Sequence, residues 1–172
     1  MHARRMICLI GYLLFLSATA HGASLGSGKV DPCTTLILVR HAEKRNETDT
    51  TTLTAAGYER ADRLARLLSN TQLDAIYTTP FIRMQLTAAP TAAAKQLPIQ
   101  DYQPHKMDEV ERMVQQHTGK VILVIGHGNT LPSIINQFCG TTLPNLEGYN
   151  DLFILTIADL KQATNVYLRL FY

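Results

Sequence analysis

The stretch Thr34-Thr35-Leu36-Ile37-Leu38-Val39-Arg40-His41 carries the pattern that decides the fold. A short run of apolar and β-branched residues ends abruptly in a cation and an imidazole. Such a run predicts a strand buried on both faces, as in a parallel sheet, although a strand that runs into a solvated turn is the alternative. The carboxyl ends of parallel strands border the ligand crevice of open α/β folds. We therefore expect Arg40, a planar donor suited to phosphate, and His41, a nitrogen nucleophile or base, to face that crevice.

Three further segments extend this pattern. A second apolar run ends in Gly126-His127-Gly128, so that a histidine again follows a predicted buried strand. Thr79-Pro80-Phe81-Ile82-Arg83 places an arginine just inside a predicted helix. Leu53-Thr54-Ala55-Ala56-Gly57 opens another helix, for which Thr54 is the predicted N-cap.

Together, and in this order, these segments resemble the histidine phosphatase (phosphoglycerate mutase-like) superfamily. The resemblance rests on Arg40-His41, on the Thr-Pro-x-x-Arg turn that ends at Arg83, and on the turn around His127, and it extends from about Thr34 to the C-terminus. It implies a three-layer α/β/α sandwich and a transient phosphoryl group on His41, which His127 helps to stabilise. The short chain is most similar to the compact branch that includes small phosphohistidine phosphatases.

The order of predicted elements independently indicates an α/β fold with a mostly parallel central sheet and an antiparallel edge. Strands are predicted over 34–40, 74–77, 97–99, 120–125, 151–157 and 165–171, the last two as a hairpin at the sheet edge. Helices are predicted over 54–68, 80–94, 107–117 and 130–138. Pro90 should kink or split the second helix, and Gly140 should cap the fourth.

These side chains suit a phosphate monoester, because two guanidinium groups neutralise phosphate oxygens and two imidazoles supply nitrogen chemistry. Arg40 and Arg83 should also keep His41 neutral. Gly128, with its neighbour Gly126, should let the backbone approach phosphate. Alternatives remain for single residues: each histidine could cap a turn, and Arg83 could pair in an ordinary salt bridge.

We predict no metal site and no cofactor. A histidine pair can indicate zinc, but neither carboxylate nor a third histidine stands at ligand spacing from His41 or His127, and nearby arginines would repel a cation. His105 and His117 receive no predicted role.

The proton donor is predicted as Glu109, with Asp108 as the second candidate. Larger members of the family carry a glutamate in a short signature after the Thr-Pro-x-x-Arg motif, and this chain lacks that signature. Asn46 also lies one residue earlier than the asparagine that often follows the first motif in this family. These departures concern the acid and the substrate rather than the nucleophile.

Residues 1–20 are predicted to be a signal peptide. Arg4 and Arg5 precede an apolar stretch that ends before Ala18-Thr19-Ala20, a small-x-small cleavage pattern. Cleavage after Ala23 and an uncleaved membrane anchor are the alternatives. Residues 21–33 should form a flexible mature N-terminus and residues 34–172 the phosphatase-like domain. The mature protein should be periplasmic or secreted, with no stable membrane insertion.

An exported chain with two remaining cysteines favours a disulfide between Cys33 and Cys139. The first strand should place Cys33 at the end of the sheet opposite the crevice. The helix after His127 should return Cys139 to that end. Two separate buried thiols are the alternative.

The formal charge of +2 falls to zero without Arg4 and Arg5, and no basic run or aromatic-interleaved basic patch is present, so nucleic acid is not an expected partner. The expected partner is a small phosphorylated substrate or a phosphorylated envelope component. The predicted function is a phosphatase, and the alternative is a phosphate-binding protein without turnover. Mutase activity is disfavoured by the predicted export.

Overall fold

The computed structural model describes residues 32–160 and 165–172. The predicted signal peptide and most of the predicted mature N-terminus therefore lie outside the described residues. Within the described ranges, no helix is long and apolar enough to cross a membrane.

The described residues contain strands and helices in the predicted order. The strands are β1 (Thr34–Arg40), β2 (Ala75–Thr78), β3 (Ile99–Asp101), β4 (Val121–Gly126), β5 (Asp151–Ile157) and β6 (Val166–Phe171). The helices are α1 (Ala55–Leu67), α2 (Ile82–Lys95), α3 (Met107–Gln116) and α4 (Thr130–Cys139). The predicted bounds hold to within one or two residues for every element.

The strands form one six-stranded sheet in the order β3-β2-β4-β1-β5-β6. The first four are mutually parallel, whereas β5 is antiparallel to both β1 and β6. The predicted mixed sheet with an antiparallel edge hairpin is therefore confirmed. The central β1 pairs with two strands that are distant in the chain.

Alternate residues of β1 face opposite layers of helices, as the two-residue period of a strand requires. Leu36 and Leu38 pack in a cluster with residues of α3 and α4. Ile37 and Val39 pack in a second cluster with residues of α1 and α2. The three-layer α/β/α sandwich is thus confirmed, with the sheet as its middle layer.

Helix α2 is continuous through Pro90, so of the predicted kink or split, the split is wrong and the kink stays a prediction. Ala88 and Ala92, on either side of the proline, are both buried and pack in the cluster between α2 and the sheet. This packing stabilises the helix across the hydrogen bond that a proline cannot donate. The helix caps agree with prediction: Thr54 accepts a hydrogen bond from the Gly57 backbone, and Gly140 has a left-handed φ of 62°.

Cys33 and Cys139 are free thiols, which contradicts the predicted disulfide. The topological argument for their common end is sound. Thr34 is in register with Ile157 at the end of β5, and Asn165, which accepts from the Ala158 N–H, donates to the Phe138 carbonyl at the end of α4. Their surroundings differ, however. Cys33 is exposed to solvent, whereas Cys139 is partly buried against the cluster below the sheet.

Candidate active site

The ends of β1 and β4 bring the two predicted histidines together. Arg40 is in register with Gly126, and the His41 backbone N–H donates to the Gly126 carbonyl at 3.0 Å. His41 follows Arg40 directly, and His127 follows Gly126. Their ring centroids lie 5.7 Å apart with the planes at 75°. The predicted pairing across the carboxyl edge of the sheet is present in the structure.

His41 is held as a neutral base with one nitrogen free. Its side chain is only 2% exposed, and Nδ1 lies 2.7 Å from the Ala42 carbonyl. Because a carbonyl can only accept, we assign the proton to Nδ1, which leaves the lone pair on Nε2. Burial, and then the charges of Arg40 and Arg83, lower the pKa of His41 from 6.5 to about 4 against the opposing effect of the carbonyl. The ring is therefore uncharged at neutral pH.

His127 is also neutral at physiological pH. Burial lowers its pKa to about 4, and the charges of Arg83 and Arg40 contribute further. Its backbone N–H donates to the Thr130 hydroxyl at 2.9 Å, which fixes the start of α4. The Thr79 hydroxyl lies 3.4 Å from Nε2.

Arg40 is anchored by backbone oxygens. Its Nη1 donates to the carbonyls of Leu146 at 3.1 Å, Glu147 at 2.9 Å and Gly148 at 3.1 Å. Its Nε is buried and has no hydrogen-bond partner among the described residues. The anchoring segment reaches the site because β5 is antiparallel to β1, so the chain that enters β5 arrives at the edge where β1 ends.

Arg83 is 8% exposed and lies on the first turn of α2, where the sequence predicts it. Its Nη1 approaches the Asp49 carbonyl at 3.4 Å, which places the loop after β1 beside the site. Its Nε, like that of Arg40, is buried and unpartnered in the part of the chain that is described. Two buried guanidinium donors are therefore left without an acceptor among the described residues, which is costly for a buried polar group.

The Thr87 side chain links Arg83 to Ala42, the residue that follows His41. Its hydroxyl donates to the Arg83 carbonyl at 2.7 Å and accepts from the Ala42 backbone N–H at 3.0 Å. One side chain thus sets the position of the helix that bears Arg83 relative to the loop that bears His41.

Two aromatic residues that sequence reasoning missed also border the histidines. The Phe81 ring lies 5.4 Å from the His127 ring, and the Tyr149 ring lies 5.6 Å from the His41 ring. Phe81 belongs to the predicted Thr-Pro-x-x-Arg turn, so its proximity could have been inferred. Tyr149 enters only through the antiparallel pairing of β5 with β1, for which the sequence contains no local signal.

The two glycines around His127 serve packing in the described structure. A Cβ on Gly126 would lie 2.4 Å from the Leu131 side chain, and one on Gly128 would lie 2.6 Å from the Leu146 carbonyl and 3.2 Å from Arg40 Cζ. Glycine at these positions admits α4 and the segment that anchors Arg40. Phosphate binding by Gly128 stays a prediction.

The predicted acids each form an ion pair with a cation on or next to α3. Glu109 forms an ion pair with Lys106 at 3.1 Å, and Asp108 forms one with Arg112 at 2.9 Å. A different carboxylate, Glu47, lies near both site arginines and pairs with Lys44. The hydrogen bond and charge of Lys44 lower the pKa of Glu47, and the charges of the two site arginines lower it further.

No cluster of three or more potential metal-ligating side chains occurs among the residues that the structure describes. The site is built instead from two neutral imidazoles between two cations. Such a site favours an anion that accepts hydrogen bonds and presents an electrophilic centre.

Known proteins with this fold include several phosphatases. The protein histidine phosphatase SixA, in complex with tungstate, is 14% identical, with a TM-score of 0.67 over 80% of this chain and 96% of that chain. The mycobacterial glucosyl-3-phosphoglycerate phosphatase Rv2419c, in complex with VO3, is 12% identical, with a TM-score of 0.62 over 70% of this chain and 90% of that chain. Bacillus stearothermophilus YhfR is 21% identical, with a TM-score of 0.61 over 71% of this chain and 90% of that chain.

No curated protein matches the sequence. The model of the histidine phosphatase superfamily (branch 1) matches residues 36–104, which contain Arg40, His41 and Arg83. The second histidine lies beyond that match, and the structure places it beside the first. Over residues 36–104 the chain is therefore similar to the histidine phosphatase superfamily, and its fold is the one seen in the phosphatases above.

Proposed function

We propose that this protein is a phosphatase that hydrolyses a phosphomonoester through a phosphohistidine intermediate on His41. The observation that carries the proposal is the state of His41: a buried, neutral ring whose Nδ1 proton is held by the Ala42 carbonyl. Nε2 is then a nucleophile at neutral pH without prior loss of a proton.

The reaction has two displacements. In the first, His41 Nε2 forms a bond to phosphorus as the bond from phosphorus to the leaving oxygen breaks, and an acid protonates that oxygen. In the second, water attacks the phosphohistidine, the phosphorus–nitrogen bond breaks, and inorganic phosphate leaves. We infer that the Nε groups of Arg40 and Arg83, which are buried and unpartnered among the described residues, donate to the phosphoryl oxygens in both steps.

Relatives of this fold support the anion preference. The SixA structure holds tungstate and the mycobacterial phosphatase structure holds a vanadium oxyanion. Both are oxyanions that imitate phosphate. Tungstate is therefore a suitable ligand and inhibitor with which to probe the present site.

The test is rapid quench of the purified protein mixed with a ³²P-labelled aryl phosphate. We expect a protein-bound label that is labile in acid and stable in base, formed no more slowly than the rate of turnover. The His41→Ala variant should form no label and release no phosphate. Its ability to fold should be checked by circular dichroism, since His41 is a buried ring.

Two results would reject the proposal. Label that persists in His41→Ala would assign the nucleophile to another residue. A parent protein that binds tungstate but hydrolyses no member of a broad panel of phosphomonoesters would instead be a phosphate-binding protein.

We also propose that the enzyme acts outside the cytoplasm, on a small phosphorylated molecule or a phosphorylated envelope component. Support comes from residues 1–20 of the sequence alone. Fractionation of cells that express the full chain should recover the protein outside the cytoplasm. N-terminal sequencing should show a start at His21 or Ser24, and an intact Met1 on membrane-bound protein would indicate an anchor.

A further inference from the structure

The two site arginines are held differently from several other arginines of this fold. Arg60, Arg112 and Arg169 each donate to a carboxylate, at 2.6, 2.9 and 2.6 Å. Within residues 32–160 and 165–172, neither Arg40 nor Arg83 forms an ion pair. Their positive charges are therefore not neutralised by direct contact with a carboxylate.

A ring face takes the place of a carboxylate at both arginines. Arg40 Cζ lies 4.5 Å from the centroid of the Tyr149 ring, and Arg83 Cζ lies 4.5 Å from the centroid of the Phe81 ring. An aromatic face attracts a guanidinium group through its quadrupole, yet it carries no net charge. Each ring can therefore fix an arginine and leave its full charge for a ligand.

The same rings contact the histidines. Tyr149 borders His41 and Phe81 borders His127, so four rings form a row in the order Tyr149, His41, His127 and Phe81. A guanidinium group stands over each terminal ring of this row. Phe81 is the N-cap residue of α2 and Tyr149 precedes β5, so each end of the row is supplied by a separate element.

We propose that Phe81 and Tyr149 are positioning residues that hold Arg83 and Arg40 by their ring faces and keep both charges available to a tetrahedral oxyanion. The identity of that oxyanion as a substrate phosphoryl group rests on the function proposed above. The positioning role itself concerns oxyanion binding, which can be measured without turnover.

The test is isothermal titration of tungstate into the parent and into single variants. Tyr149→Leu and Phe81→Leu should each raise the dissociation constant of tungstate by about 3- to 30-fold, which is the range expected for the loss of one cation–π contact. Tyr149→Phe and Phe81→Tyr keep the ring and should stay close to the parent. Phe171→Leu is the matched control, because Phe171 also stacks on an arginine, Arg169, and is 73% exposed. It should bind tungstate as the parent does.

A second pair of variants tests the charge argument and does not depend on the packing of leucine. Glutamate at position 149 can pair with Arg40 and neutralise it, whereas glutamine of nearly the same shape cannot. Tyr149→Glu should therefore bind tungstate more weakly than Tyr149→Gln, and added salt should reduce the difference.

Three results would overturn the inference. Leucine variants that bind tungstate like the parent would show that the rings do not position the arginines. Tyr149→Phe as weak as Tyr149→Leu would assign the effect to the hydroxyl, and equal binding by Tyr149→Glu and Tyr149→Gln would reject the charge argument. A parent that binds tungstate with the expected variant pattern, but hydrolyses nothing, would reject the proposed function and leave this inference standing.

Discussion

At the scale of single residues, the site combines groups whose ionisation states depend on one another. The charges of Arg40 and Arg83 lower the pKa of both histidines, so the two cations proposed to bind phosphate also favour the uncharged form of the proposed nucleophile, His41. Burial contributes the largest share of each shift. A substitution that removes one arginine should consequently change both anion binding and the fraction of His41 that is protonated in acid.

Arg83→Lys separates charge from geometry. Lysine keeps the positive charge but lacks Nε and the planar fork, so it cannot make two parallel hydrogen bonds to a phosphoryl group. We expect kcat/KM to fall by about 10- to 100-fold, which corresponds to about 1.5–3 kcal/mol for a charged hydrogen bond. The inhibition constant of tungstate should rise in parallel. Parent values for both would place Arg83 outside the reacting centre.

The proton donor can be identified by the choice of leaving group. A nitrophenolate ion leaves without a proton, whereas an alkoxide needs one, so loss of the acid should slow alkyl phosphates far more than nitrophenyl phosphate. Glu109→Gln is the variant that the sequence predicts, with Asp108→Asn second. Glu47→Gln belongs in the same series because this carboxylate lies near both arginines. Equal losses on the two substrates would exclude a variant residue as the acid.

At the scale of elements, the site depends on how two helices meet the end of β1. Thr87 links α2 to the Ala42 backbone, and Gly57 allows the start of α1 to approach Glu43. Both contacts involve backbone atoms of the two residues that follow His41. Small changes in either helix should therefore be transmitted to His41, the proposed nucleophile.

Gly57→Ala should destabilise the protein although alanine is the better helix former. Helix propensity alone favours alanine by about 1 kcal/mol. The new Cβ would lie 2.5 Å from the Glu43 carbonyl oxygen, and relief of that overlap should cost about 1–3 kcal/mol or more. A melting curve should show a lower Tm than the parent. Gly148→Ala is the control, since a Cβ there meets no atom closer than 4.0 Å, and a higher Tm for Gly57→Ala would contradict the steric argument.

The helices and strands, and the histidines and arginines of the candidate site, could be predicted from the sequence. Apolar runs that end in His41 and His127, and the turn before Arg83, are continuous signals that can be recognised along the chain. The partners of Arg40 could not be predicted, because they come from an irregular segment that reaches the site only through a long-range antiparallel pairing. The disulfide prediction used topology correctly but had no information on where the side chains of Cys33 and Cys139 point.

At the scale of the whole molecule, two buried neutral histidines make stability depend on pH. His41 and His127 have a pKa of about 4 in the folded protein, against an ordinary value of 6.5. Between these values the unfolded chain binds more protons than the folded one. The two histidines therefore do not reduce the free energy of unfolding through protonation above pH 6.5. They reduce it progressively as the pH decreases from 6.5 towards 4.

Urea unfolding measured at several pH values should show this dependence. The free energy of unfolding should decrease steadily below pH 6.5, and the His41→Asn/His127→Asn double variant should show a flatter profile over that interval. Glu43 and Asp74 also have lowered pKa values, but their ordinary values are 4.5 and 3.8, so their effect begins at lower pH. Identical slopes for the parent and the double variant between pH 6.5 and 5 would reject the assignment.

The central position of β1 also sets the order in which the molecule acquires its function during folding. Both neighbours of β1 come from much later in the chain, and closing such long loops costs entropy before the paired strands offset it. A slip of one residue in its pairing would turn His41 away from His127. In stopped-flow refolding, helical circular dichroism should thus recover first and tungstate binding last, because His41 and His127 come together only once β1 and β4 have paired in register.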